Sequence, residues 1–479
     1  MKTKKMAYDI DEMPPLKEAI ILAFQHLFAM FGATILVPIL VNSAAGKEVL
    51  TIPVALVTSG IGTLIYILCT KGKSPVYLGS SFAFITPIAA AYMKGGIGGA
   101  MTGIMAVGLV YCVIALIIKG VGKGWLEELL PPVVIGPMIM IIGLGLAPSA
   151  ISQIGLSSGT DLDIKVLVVA IVSFLTTAFV MTKAKGFLKI IPFLVGIITG
   201  YLFAVCLGMI DFSVVAKADW FSLPKFVIPF KDYELDFTAL VTIVPIALVT
   251  LCEHIGDHTS LSNIIGRDLI KEPGLDRTLL GDGIATFVAG FLGGPANTTY
   301  GENTSVVGMT KVASVKVISL AATFAIVIGF LGKFTALVST IPNAVLGGVS
   351  LLLYGFIAVN GLKVLIKNQV DFEESKNVIV ASSMLVLGLG GAAVSIIRGD
   401  LSLTISGMSL AAIVGILLNS ILPGEEKPVA VKVEEDTRRN LTDMKKLKHD
   451  IKEELTVELK DDILNEIKRE MNKNNKHKR

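Results

Sequence analysis

Of the 479 residues, 53% are hydrophobic and 17% are charged, and the mean hydropathy is +0.73. That average excludes an ordinary soluble globule, whose polar surface keeps the figure near or below zero, and implies that most of the surface meets lipid. A net charge of +3 is too small for a nucleic-acid binder, so no nucleic-acid partner is expected. The 47 glycines suit membrane helices, which use small residues to pack closely.

The chain starts with a basic then acidic stretch, residues 1–17, that lacks a small-residue cleavage site. The first apolar run is therefore expected to be a retained span rather than a signal peptide. A window of about 19 residues then predicts spans near residues 18–42, 50–69, 81–93, 97–118, 131–151, 164–182 and 187–208. After a longer loop at 209–236, a second set follows near 237–262, 278–294, 297–311, 314–334, 341–360, 376–397 and 403–422. The expected fold class is an all-α polytopic membrane protein of fourteen segments, a first repeat over 18–208 and a second over 237–422. Seven spans per copy, an odd number, inverts the second copy relative to the first.

Two segments break the pattern. The third opens with Pro75-Val-Tyr-Leu-Gly-Ser-Ser-Phe-Ala-Phe-Ile-Thr-Pro87, the tenth with Gly294-Pro-Ala-Asn-Thr-Thr-Tyr-Gly-Glu-Asn-Thr-Ser305. Both are short, hydroxyl-rich and interrupted by Gly or Pro, at matching places in the two halves. Non-helical backbone at membrane depth survives only where protein or a cavity surrounds it. A matched pair of this kind marks the binding site of a transporter built from inverted repeats.

Lys and Arg alternate between the loops. One side carries fifteen, among them Lys71, Lys73, Lys119, Arg267 and Lys311, against eight on the other. The richer side also receives both chain ends, which places both termini in the cytoplasm of a multi-pass inner-membrane protein. From 423 to 479 the chain is rich in Lys, Glu and Asp. Leu447, Ile451, Leu455, Leu459, Ile463 and Ile467 form a narrow apolar stripe there, so a charged cytoplasmic helix is expected.

Ionisable residues at membrane depth are costly and mark function by default. Glu253, His254, Asp257 and His258 fall in the later part of the eighth span, and Glu302 falls in the broken tenth segment. Glu253 and Asp257, four apart, project from one helix face. Two such acids do not both ionise cheaply, so one of them is suited to carry a proton. The bland alternative ends the eighth span before Glu253 and leaves ordinary interfacial charges. Asp282 reads equally as a buried contact or a helix-start residue, whereas Gln25 and His26 read as hydrogen-bonding groups between helices. Cys69, Cys112, Cys206 and Cys252 form no CxxC pair and read as core thiols, so neither metal nor cofactor is expected. No HExxH, GxSxG or P-loop pattern occurs, which disfavours an enzyme. A channel would need a through-going polar lining.

Several stretches resemble the nucleobase–ascorbate transporter family, most closely its bacterial uracil-permease branch, over about residues 14–422. They are Gln25-His-Leu-Phe-Ala-Met-Phe-Gly-Ala-Thr34, Tyr77-Leu-Gly-Ser-Ser-Phe-Ala-Phe84, Glu253-His-Ile-Gly256, Asn297-Thr-Thr-Tyr-Gly-Glu-Asn303 and Gly348-Val-Ser-Leu-Leu-Leu-Tyr-Gly355. The resemblance implies a core and a gate domain, with short antiparallel strands in segments 3 and 10. It also implies homodimers and proton-coupled import of a nucleobase, uracil foremost, by alternating access. It puts substrate contacts on Glu253, Glu302, Gly301 and Phe82, with Ala33, Tyr300 and Tyr354 lining the pocket, and proton coupling on Glu253, Asp257 and Glu302. Two positions depart from the branch: Asp257 stands where a histidine is usual, and Ser305 replaces a glycine. Asp257 is a feature of purine carriers, so xanthine or another purine is the alternative cargo. Related folds that carry small anions fit poorly with paired buried acids.

Overall fold

A computed structural model describes residues 6–159, 161–398 and 401–424. Its helices run in chain order as Leu16–Ala45 (α1), Ile52–Cys69 (α2), Ile85–Val121 (α3), Gly124–Leu129 (α4), Pro132–Gly145 (α5), Ala147–Gln153 (α6), Ile164–Lys183 (α7), Pro192–Cys206 (α8) and Ser213–Lys217 (α9). There follow Leu240–Ile243 (α10), Ile246–Ile265 (α11), Leu275–Phe291 (α12), Gly301–Thr310 (α13), Val315–Gly329 (α14), Gly332–Ser339 (α15), Asn343–Lys367 (α16), Ser375–Leu389 (α17) and Gly407–Ile421 (α18). Four strands are Leu78–Ser80 (β1), Asn297–Thr299 (β2), Ala393–Arg398 (β3) and Leu401–Ser406 (β4). Among the described residues, seven helices are long and apolar enough to cross a bilayer by themselves, and three more are apolar but shorter.

The helices sort into two sets by their packing. α1, α2, α3, α12 and α14 pack chiefly on one another, while α5, α6, α7 and α8 pack with α16, and α17 with α5 and α18. Glycines let the backbones meet in each set. A Cβ on Gly108 of α3 would stand 2.5 Å from the carbonyl oxygen of Gly283 on α12, and one on Gly136 of α5 would reach 3.1 Å from that of Gly361 on α16. Side chains larger than hydrogen would push these helices apart, and the dispersion contacts that hold membrane helices together would be lost.

The two broken segments adopt one local plan. β1 follows α2, and β2 follows α12; the strands pair antiparallel with Leu78 opposite Thr299, Gly79 opposite Thr298 and Ser80 opposite Asn297. Each strand then turns into a helix. After β1 comes a 3-10 turn at Phe82–Phe84 and the first part of α3, which breaks at Gly95 and Gly96. After β2 comes α13, starting at Gly301.

The sequence predicts one apolar span over 376–397, and the structure corrects it. α17 ends at Leu389, Gly391 turns the chain at φ +71°, and β3 pairs antiparallel with β4. Gly390 and Gly391 stop the helix, and the alternation Leu-Ser-Leu-Thr-Ile-Ser from Leu401 to Ser406 has the two-residue period of a strand. The predicted eleventh span is also bent, α14 and α15 meeting at 81°. The charged helix expected over 423–479 lies, beyond Gly424, outside the described residues.

The lysine-rich loop face is laced by ion pairs. Lys73 Nζ donates to Glu272 Oε1 at 2.5 Å, and Arg267 pairs with Asp9. The hydrogen bond from Lys73, with its positive charge, holds the Glu272 carboxyl below the usual carboxylate range.

Candidate functional site

The floor of the site is the strand pair. Ser59 Oγ on α2 donates to the carbonyl of Leu78 at 2.7 Å, and the Leu78 N–H donates to Thr63 Oγ1 at 3.0 Å. On the other strand, Asn297 Nδ2 donates to the carbonyl of Thr58 at 3.3 Å, and Thr286 Oγ1 on α12 donates to the carbonyl of Asn297 at 3.2 Å. These hydroxyls and amides satisfy backbone that a three-residue strand leaves unpaired in an apolar surround.

Tyr300 closes the crossing. Its OH donates to the carbonyl of Ser80 at 2.8 Å and accepts from Thr34 Oγ1 of α1 at 3.1 Å. Its ring lies over Gly79, where a Cβ would come within 2.4 Å of ring carbons; only glycine fits. Ala33 is buried with Tyr300 in one apolar cluster. Phe82 is half-buried and packs against that cluster and against a second one that holds Tyr354 of α16. At the start of α13 no side chain caps the helix. The first N–H groups there have no intrahelical acceptor, and the positive end of the helix dipole faces the crossing.

α11 runs unbroken from Ile246 to Ile265, so Glu253 and Asp257 lie inside the helix, and the reading that ends the span before them is set aside. The helix packs against β2, α13 and the Phe82–Phe84 turn. Thr299 Oγ1 of β2 donates to Asp257 Oδ2 at 2.6 Å, and Asp257 Oδ1 stands 3.6 Å from where a Gly301 Cβ would be. Glu253 lies one turn before Asp257 on α11, and Glu302 follows Gly301 in the first turn of α13, which packs against α11. Glu253, Asp257, Glu302, Gly301, Phe82 and Tyr300 therefore gather around one crossing, with Ala33 behind Tyr300. Tyr354 belongs to the large apolar cluster against which Phe82 packs, and only that shared cluster links it to the crossing.

The histidines of the same helix do something else. His254 Nδ1 is hydrogen-bonded to Asp282 Oδ2 of α12 at 2.9 Å, and both side chains are fully buried. His258 Nδ1 donates to the His254 carbonyl at 2.7 Å, and its Nε2 shares a 2.5 Å hydrogen bond with Tyr66 OH of α2. Tyr66 OH continues to Ser74 Oγ at 2.8 Å. Asp282 is thus a buried contact rather than a helix-start residue. His26 accepts at its carbonyl from Asn303 Nδ2 at 3.0 Å, a bond between helices.

Thr299 and Thr34 escaped the reading of the sequence, although they hold Asp257 and Tyr300 in place. Thr86 also escaped it; one turn beyond Phe82, it is exposed although it lies within an apolar helix. A threonine in an apolar run is a faint signal, because its hydroxyl often only bonds back to its own helix.

Two interrupted segments paired through short strands beside the acids of α11 are the arrangement of a membrane transporter's binding site. The chain belongs to the nucleobase–ascorbate transporters: the model described as Permease family (Xan_ur_permease) matches residues 17–397. The uracil permease of Bacillus caldolyticus is 51% identical over 424 residues, covering 88% of this chain and 95% of the relative. The uracil permease of Escherichia coli (strain K12) is 41% identical over 421 residues, 87% of this chain and 94% of the relative. Among solved structures, the transmembrane domain of a cyanobacterium bicarbonate transporter, BicA, superposes with a TM-score of 0.59 over 85% of this chain and 98% of that one. At 14% identity that likeness concerns the fold alone.

Proposed function

We propose that the protein imports uracil together with protons across the cytoplasmic membrane by alternating access. The observation that carries this reading is the convergence of Glu253, Asp257 and Glu302 on the start of α13, where Asp257 already accepts from Thr299. That bond leaves Glu253 and Glu302 to face a base. Uracil is a flat ring with two N–H donors and two carbonyl acceptors. A carboxylate accepts from a ring N–H, and a protonated carboxyl also donates to a carbonyl. The N–H of Gly301 at the uncapped start of α13 supplies a further donor, and Phe82 offers a flat face for stacking. The relatedness to uracil permeases over most of the chain supports the same cargo.

The topology of this reading is fourteen segments in two inverted repeats, with both termini cytoplasmic. The set around α1, α3 and α12 is the core, and the set around α5, α7 and α16 is the gate, in a homodimer. Substrate sits between the sets. With one acid of the Glu253 and Asp257 pair protonated, the outward-facing site takes uracil. The core then moves past the gate, and release of the proton inside weakens the contacts to the base.

The test is uptake of labelled uracil into proteoliposomes. An imposed inward proton gradient is expected to drive accumulation above equilibrium, and excess unlabelled uracil to suppress it more strongly than xanthine. Equilibration without accumulation would remove proton coupling; stronger suppression by xanthine would change the cargo.

A further inference from the structure

Leu109, Val113 and Leu116 on α3, and Leu175 and Phe179 on α7, are each more than half exposed. Such faces suit lipid tails.

α11 differs. From Leu240 to Ile255 no residue is exposed. Beyond that point Gly256, Thr259, Ser260 and Asn263 are exposed, spaced three, one and three apart, which is a single helix face. Among the described residues, neither Ser260 nor Asn263 has a hydrogen-bond partner. On α13, Ser305 is exposed one turn beyond Gly301, its Oγ bonded back to the Gly301 carbonyl at 3.0 Å. Hydroxyl and amide groups left unpaired against hydrocarbon are costly; these groups face water.

The length of the helix sets the depth. Twenty residues at 1.5 Å each span about 30 Å, the thickness of a hydrocarbon core, and Asp257 lies about 12 Å from the Ile265 end. The wet face therefore begins at the acids, near mid-depth, and runs to the end that carries Arg267 on the lysine-rich side. The other half of the helix is sealed.

We propose that Gly256, Thr259, Ser260 and Asn263 of α11, with Ser305 of α13, form the wall of a water-filled path joining the acid cluster to the lysine-rich face, and that the structure is open toward that face. Uracil leaving the site passes along this wall, whose hydroxyls exchange hydrogen bonds with the base as water replaces the carboxyl contacts. The uracil clause rests on the function proposed above; the path itself does not.

The experiment is thiol labelling with a membrane-impermeant maleimide in vesicles of both orientations. Ser260→Cys and Asn263→Cys are made separately in a Cys206→Ser background, whose own labelling sets the blank, with Leu116→Cys as the lipid-facing control. Both variants are expected to label at least about tenfold faster than Leu116→Cys when the lysine-rich side faces the reagent. Labelling should be slow from the other side, and saturating uracil should slow it at Ser260→Cys. If Ser260→Cys and Asn263→Cys label no faster than Leu116→Cys, or equally from both sides, the path does not exist. If both label quickly but uracil has no effect, the path stands and the uracil reading falls.

Discussion

One helix, α11, carries two neighbouring faces of ionisable residues, one acidic and one of histidines, in different surroundings. Glu253 and Asp257 lie on one, partly buried at the strand crossing, with Asp257 held by Thr299. His254 and His258 lie on the next, fully buried and bonded to Asp282 and Tyr66. The difference lies in what each side chain was given as a partner. Buried polar groups with fixed partners hold α11 against α12 and α2; the partly buried acids at the crossing are the ones to which the proposed function gives the exchange of a proton and a base. Ionisable residues at membrane depth are thus not all sites, and burial of the partner tells the two classes apart.

The contrast is open to direct attack. Glu302→Ala is expected to give the largest effect. Uracil affinity, measured by scintillation proximity on purified protein, should fall at least about a hundredfold, because the base loses charge-assisted hydrogen bonds and keeps an unpaired N–H. An unchanged affinity removes Glu302 from the site.

On the other face, Asp282→Ala should lower stability by about 3 kcal/mol, read from thermal unfolding in detergent, since it strands His254 in a dry interior. Substrate affinity of the molecules that remain folded should change far less than in Glu302→Ala. Loss of binding at unaltered stability would instead move Asp282 to the working face.

Tyr66→Phe should be milder, about 1–2 kcal/mol, leaving His258 Nε2 and Ser74 Oγ short of a partner but keeping the ring packing. Its KM for uracil should stay near that of the parent. A raised KM with unaltered unfolding would show that the histidine face tunes the acids.

Much of this was readable from the residues. Hydropathy located the spans, and the Gly- and Pro-broken hydroxyl-rich stretches located the turns at Phe82 and Gly301, because such backbone has few places to go in a membrane. The four-residue spacing put Glu253 and Asp257 on one face. Periodicity does not say what lies opposite a face, so the partnership of His254 with Asp282, 28 positions away, was not legible, and Asp282 read equally well as a helix start. The hairpin after Leu389 was hidden for a different reason. Val394, Ile396 and Ile397 raise the average hydropathy as much in a strand as in a helix, and a window of about 19 residues blurs the two glycines that separate them. Thr299 gave no signal beyond its hydroxyl, since its role exists only once β2 lies against α11.

The short strands have a mechanical consequence. β1 is fastened to α2 through Ser59 and Thr63, and β2 to α12 and again to α2 through Asn297. A cradle tied on both sides to the same beam cannot flex independently of it. In the transport cycle proposed above, cargo resting there would be ferried with the scaffold, like a passenger in a lift car, while the other set of helices would supply the shaft wall.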